Sequence, residues 1–269
     1  GGMRDGRGAS VGVGNLIFNM EDAMNLTMQR QSLLWDDSEH TVWETITERV
    51  YWPPEQTVLL LCDVWNNHWC RGAVERLEAM IPRMHAVVQS ARKQGVTIIH
   101  APSGTLDVYA NTLARRRVLD VPSIEPPENL DHADPPLPID DSDGGSDTGE
   151  DPNKINTQVW TRQHAGIDID QERDIISDQG HEIYSYMQHR EIGKMLIMGV
   201  HTNMCVLHRT FAIKQMTRWG IQVALIRDLT DAMYNPAKPP YVSHEAGTQL
   251  VISFIEKFWC PTILSNDLL

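Results

Sequence analysis

The sequence predicts a three-layer α/β/α fold on two observations. Apolar runs without alternation, TVLLLCDV (57–64), VTIIHA (96–101), KMLIMGV (194–200) and IQVALIRD (221–228), suit strands covered on both faces. Segments of helical period lie between them, and strands alternating with amphipathic helices give right-handed crossovers and a parallel sheet.

Taken in order, residues 1–15 are Gly-rich and are expected to form a flexible leader, without the apolar core of a signal peptide. The compartment stays open between the cytoplasm and an exported protein whose signal has been trimmed. Residues 16–56 form an N-terminal extension in which LTMQRQ and TVWETITERVYW alternate as two short strands of a peripheral arm. The main domain spans 57–269.

From Ala73 to Lys93 the residues Val74, Leu77, Met80, Ile81, Met84, Val87 and Val88 recur at three and four, with Gly95 placed for a C-cap. Residues 121–152 carry ten Asp or Glu, no Lys or Arg, and seven of the fifteen prolines. That composition predicts a disordered, mobile acidic insertion, because it buries too little apolar surface to order itself. Order is expected to resume at INTQVWTRQHAGIDI. Helices follow near Gly180–His189, over about Asn203–Trp219 and over about Ser243–Phe258, and CPTIL is a last short strand.

The net charge of −13 falls to −3 once the insertion is set aside, so no clustered positive charge points to a nucleic-acid partner. No apolar run is long enough to cross a bilayer. Four cysteines without a CxxC pair fit reduced thiols rather than a zinc knuckle or disulfide framework.

In parallel α/β sheets the binding crevice lies outside the carboxyl ends of the strands. Asp63, His100, the stretch His201–Cys205 and Asp228 follow or end predicted strands and are expected to converge there. Cys205 falls in the first turn of its predicted helix, where free N–H groups and the dipole favour a thiolate and an oxyanion, with Thr202 or Asn203 as cap. The plainer reading makes Cys205 a small buried hydrophobe in a strand-to-helix elbow.

The motifs LLLCDVWNNHWC, GVHTNMCV and VALIRDLTDA resemble the isochorismatase-like cysteine hydrolase superfamily, which includes nicotinamidases and related amidases. The resemblance runs from about Thr57 to the C-terminus. It implies a Rossmann-like domain with a six-stranded parallel sheet, a cis Val200-His201 peptide, and a hydrolase in which Cys205 attacks a small amide or carbamoyl group. Asp63 would act as base and acid. The family's third catalytic residue, a Lys, would fall near Glu172, where Arg173 is the candidate replacement.

Trp65, His68, His100, His201, Thr202 and Tyr234 are the expected substrate-binding residues. Neither cofactor nor metal is expected, although Asp63, His68 and His100 form a conceivable metal set. The implied partners are a small-molecule substrate and further copies of the chain, with no nucleic acid and no membrane. The absent Lys keeps a rival reading alive, that of a catalytically impaired member serving as a ligand-binding or scaffold protein.

Overall fold

The computed structural model describes residues 22–269, so the expected leader and residues 16–21 lie outside the described part. Strand β1 (Met24–Trp35) and β2 (Thr41–Trp52) form the N-terminal hairpin. The chain continues with β3 (Thr57–Cys62), α1 (Arg71–Gln94), β4 (Thr97–Ala101) and α2 (Leu113–Leu119). It continues with β5 (Ile175–Ile176), α3 (Gly180–His189), β6 (Lys194–Val200), α4 (Cys205–His208), α5 (Ile213–Arg218), β7 (Gln222–Asp231), α6 (His244–Phe258) and β8 (Thr262–Ile263).

The sheet runs β2-β1-β8-β7-β6-β3-β4-β5. Its six strands from β8 to β5 are all parallel, as expected, and the hairpin extends the sheet to eight strands by pairing Gln29 antiparallel to Thr262.

β3 lies at the centre between β6 and β4, and all six of its residues are buried. The period of two divides them. Val58, Leu60 and Cys62 face Ile183, Met187, Ile213 and Val251 in one layer, while Leu59 and Leu61 face Leu77, Ile81, Met84 and Val88 of α1 in the other. Each buried leucine contributes about 1.5–3 kcal/mol relative to exposure. Gly199 on β6 passes so close to β3 that a Cβ would lie 2.1 Å from the Cys62 carbonyl oxygen.

Three sequence expectations change here. The helix expected over 203–219 is split into α4 and α5, because Arg209 takes an extended backbone (φ −59°, ψ 152°) and ends the first piece. The two-residue β5 was too short for a periodicity to reveal. β7 runs past Asp228 to Asp231, which pairs with Val200, across a register shift between Ile197 and Gly199.

The acidic insertion is also not the disordered segment its composition predicts. It holds neither helix nor strand before Pro152, yet it is strapped along the body. Asp134 pairs with Lys214 at 2.6 Å and with Arg218, the His132 ring stacks on Trp259, and the Leu130 N–H donates to the Arg218 carbonyl. Further on, a Cβ at Gly145 would come within 2.4 Å of the Met233 carbonyl oxygen. Composition counted charges without their partners, and the partners lie on α1 and α5. The strap ends in a half-buried cluster where Arg76 binds Asp147 (2.8 Å) and Asp231 (2.7 Å), and Asp231 also meets His244 at 2.8 Å. Burial pushes the Asp147 and Asp231 carboxyls up, but hydrogen bonds and charge from Arg76 and His244 outweigh it and hold both below the usual range.

A second buried pair fixes the other end of the sheet. Arg92 holds Asp174 through Nε (3.0 Å) and Nη2 (2.6 Å), and the same carboxylate lies 2.8 Å from His100 Nε2. Burial raises the Asp174 pKa, and the hydrogen bonds from His100 and Arg92 more than reverse it.

Replacing Asp174 with Ala leaves the Arg92 guanidinium, 7% exposed, with Asp168 as its remaining acidic partner, so urea unfolding at neutral pH should show a loss of about 1–3 kcal/mol. Because the Asp174 pKa is depressed, its contribution exists above the ordinary carboxyl pKa and is lost as pH falls through the folded value; wild type and variant should converge in acid. Asp147→Asn should loosen the strap, with several-fold faster subtilisin cleavage inside residues 140–150 and a stability loss of about 1–3 kcal/mol.

Candidate active site

At the carboxyl end of β3 the backbone of Asp63 turns into the left-handed region (φ 50°), which Asp tolerates better than most residues. The turn buries the carboxylate completely. Its Oδ1 accepts from the Ser103 N–H at 2.9 Å, and its Oδ2 accepts from Arg209 Nε at 3.0 Å. The Cys205 thiol stands close enough for the charge of this carboxylate to act on it.

Cys205 is delivered by the elbow after β6. The Val200-His201 peptide is cis. The His201 carbonyl accepts from the Met204 and Val206 N–H groups. Thr202 and Asn203 brace this turn instead of capping the helix. The Thr202 N–H donates to the Asp231 carbonyl, and its hydroxyl lies 2.7 Å from that of Thr230. Asn203 exchanges hydrogen bonds with Met233 and donates to Asp141 of the strap. Cys205 lines an open cleft of about 420 Å³ together with Leu137, Asp141, Asn203, Met204, His208 and Arg209.

The electrostatics differ from the expected activated thiolate. α4 has only four residues, so little dipole is aimed at the sulfur. Burial, together with the Asp63 charge, pushes the Cys205 thiol up to about 12, and Arg209 only partly offsets them. Burial also raises the Asp63 carboxyl, against the opposing pull of Arg209 and Ser103. The guanidinium of Arg209 is held in its charged form by Asp63 and Cys205, which outweigh its own desolvation. Proton sharing between thiol and carboxylate is therefore the chemistry this pair can perform.

Arg209 is the residue that sequence reasoning missed. Its spacing from Cys205 was visible, but an uninterrupted helix gave no reason for it to turn toward Asp63. Arg173, the expected substitute, is not at the site. It precedes β5 and so stands at the amino end of a parallel strand, where it pairs with Asp170.

Two further expected substrate residues also lie elsewhere. His100 is fully buried, its ring nitrogens taken by Gln163 and Asp174. Tyr234 packs against Gly247 of α6, and its hydroxyl bonds the Lys238 carbonyl and the Val242 N–H. Asp228 bonds Ser265 and Arg83 on the far side of the sheet.

Trp65, His68 and His201 do gather beside Asp63, around a recess of about 10 Å³, the size of a single water. Trp65 stacks on Trp160 at 3.9 Å, His68 stacks on both, and the His201 ring meets His68 edge-on at 4.9 Å. Burial pushes the imidazoles down, His68 to about 4 and His201 to about 3, so both are neutral near pH 7. Asp63, His68 and His100 do not come together as a metal set: among the described residues no group of three or more His, Cys, Asp or Glu is arranged to hold an ion.

The architecture superposes on a cysteine hydrolase from Pseudomonas syringae pv. phaseolicola 1448A with a TM-score of 0.50 and 13% identity, covering 81% of this chain and 93% of that one. The fold is isochorismatase-like. An isochorismatase from Pseudomonas putida KT2440 is similar at TM-score 0.48 and 11% identity, over 80% of this chain and 91% of that one. PnC1 from L. infantum, in complex with nicotinate, is similar at TM-score 0.41 and 15% identity, over 80% and 95%. No protein-family model and no curated protein sequence matches the chain. The likeness to these solved structures is one of fold.

The charge balance is open to direct measurement. The iodoacetamide reaction of Cys205, followed by peptide mass spectrometry, should be slow at neutral pH and accelerate only toward about 12. Asp63→Asn removes a charge that raises the thiol pKa and should move the inflection down, whereas Arg209→Ala should move it up. An inflection below the free-thiol value of about 8.5 in the wild type would contradict this balance.

Proposed function

We propose that the chain is a hydrolase in which Cys205 attacks the carbonyl carbon of a small amide or carbamoyl compound. The observation that carries this reading is the fully buried Asp63 carboxylate, paired by Arg209 and oriented by the Ser103 N–H, close enough to Cys205 for its charge to act on the thiol. A neutral thiol is a weak nucleophile, and a raised carboxylate is a better base than an exposed one. Asp63 takes the thiol proton as the sulfur bonds to carbon, and the carbonyl electron pair moves onto oxygen. The backbone N–H of Cys205, at the first position of α4 where no intrahelical acceptor exists, is the donor offered to that oxyanion.

Collapse of the tetrahedral intermediate breaks the C–N bond, and the Asp63 proton leaves on nitrogen, which departs as ammonia or an amine. Asp63, again ionised, then draws a proton from water, which attacks the thioester carbon. The acid product departs as the proton returns to sulfur. Arg209 stays charged throughout and moves no proton, so the fixed positive charge and the proton shuttle are divided between two residues.

A panel of small amides and carbamoyl compounds, assayed by ammonia release, tests the reading. Cys205→Ala should abolish turnover, and Asp63→Asn should cost about 10²–10⁴-fold. Arg209→Lys should retain more activity than Arg209→Ala, because it keeps the charge. Turnover that survives Cys205→Ala would remove the sulfur from the mechanism.

A further inference from the structure

A second cleft, of about 460 Å³, opens at the amino ends of the strands, where the chain enters β4 at Val96 and Thr97. It is lined by Arg92, Lys93, Arg117, Arg173 and Arg190, in a chain whose net charge is −13.

Two of these cations are neutralised by carboxylates. Arg92 is bound by Asp174 and Asp168, and Arg173 by Asp170. The other three are not. Arg117 donates only to the backbone carbonyls of Asp174 and Gln171. Arg190 lies over the Tyr186 ring at 5.9 Å and meets no acid, and Lys93, at the end of α1, makes neither ion pair nor side-chain hydrogen bond among the described residues. Of the acids in the lining, Asp174 is committed to Arg92 and His100, and Glu172 has no cation partner.

Three unneutralised cations from the ends of α1, α2 and α3 thus converge on one concavity, where they repel one another unless an anion lies between them. A monocarboxylate offers a single charge. A phosphate group offers up to two charges and several acceptor oxygens, which match guanidinium forks and an ammonium together. We propose that this cleft binds a small phosphate-bearing anion of the pyrophosphate or phosphate-ester class, held by Lys93, Arg117 and Arg190. The site is separate from Cys205 and does not depend on the hydrolase reading.

Isothermal titration of the full chain with inorganic pyrophosphate tests the proposal. The expected result is saturable one-site binding that weakens at least tenfold in Lys93→Ala/Arg190→Ala, whose two side chains are exposed and whose melting temperature should be unchanged. Glu172→Gln should tighten binding, and Cys205→Ala should leave it unaltered. Co-sedimentation with vesicles carrying a phosphoinositide headgroup, run alongside, tells a lipid-borne phosphate from a soluble one. Absence of saturable binding to either probe, equal affinity in the double variant, or weaker binding in Glu172→Gln would overturn the proposal.

Discussion

The buried carboxylate of Asp63 is the constraint around which the site is arranged. Removing an ionised group from water is costly unless hydrogen bonds and an opposite charge replace its hydration. The replacements come from two places: the Ser103 N–H after β4, and the two ends of α4, with the thiol of Cys205 at its start and the guanidinium of Arg209 at its close. The parallel neighbours β4 and β6 on either side of β3 bring those elements to one point. The balance is incomplete, since burial still raises the Asp63 pKa, and that residue of imbalance leaves the carboxylate basic enough to share a proton with sulfur.

The break between α4 and α5 follows from the same constraint. A continuous helix would carry the side chain four residues after Cys205 along its own axis. The extended backbone at Arg209 instead turns the guanidinium back toward Asp63. Helix regularity gives way to an ion pair, with the consequence that the short α4 lends little dipole to the thiol. Positive charge reaches the sulfur from a side chain instead of from a helix end.

The acidic strap shows a second balance of local against distant charge. Alone, its carboxylates repel and favour an extended chain. Against the body they meet Lys214, Arg218, Arg76 and the Asn203 amide, and the last of these joins the strap to the elbow that carries the nucleophile. One wall of the cleft beside Cys205, at Leu137 and Asp141, is therefore supplied by the segment least able to order itself in isolation.

Local periodicity and strand-end chemistry were enough to define the α/β class, the central strands at 57–62 and 194–200, the α1 helix with its Gly95 cap, and the adjacency of Asp63 and Cys205. These depend on contacts close in sequence or on the rule that parallel strands present their carboxyl ends together. Tertiary structure alone decided the rest. Arg209, not Arg173, faces Asp63; His100 and Tyr234 serve the core; the strap is ordered; and cations from three helices meet in one cleft. Apart from Tyr234, whose partners follow it within the next turn and the start of α6, each of these turns on partners tens of residues away, and neither periodicity nor composition carries the distance between such residues.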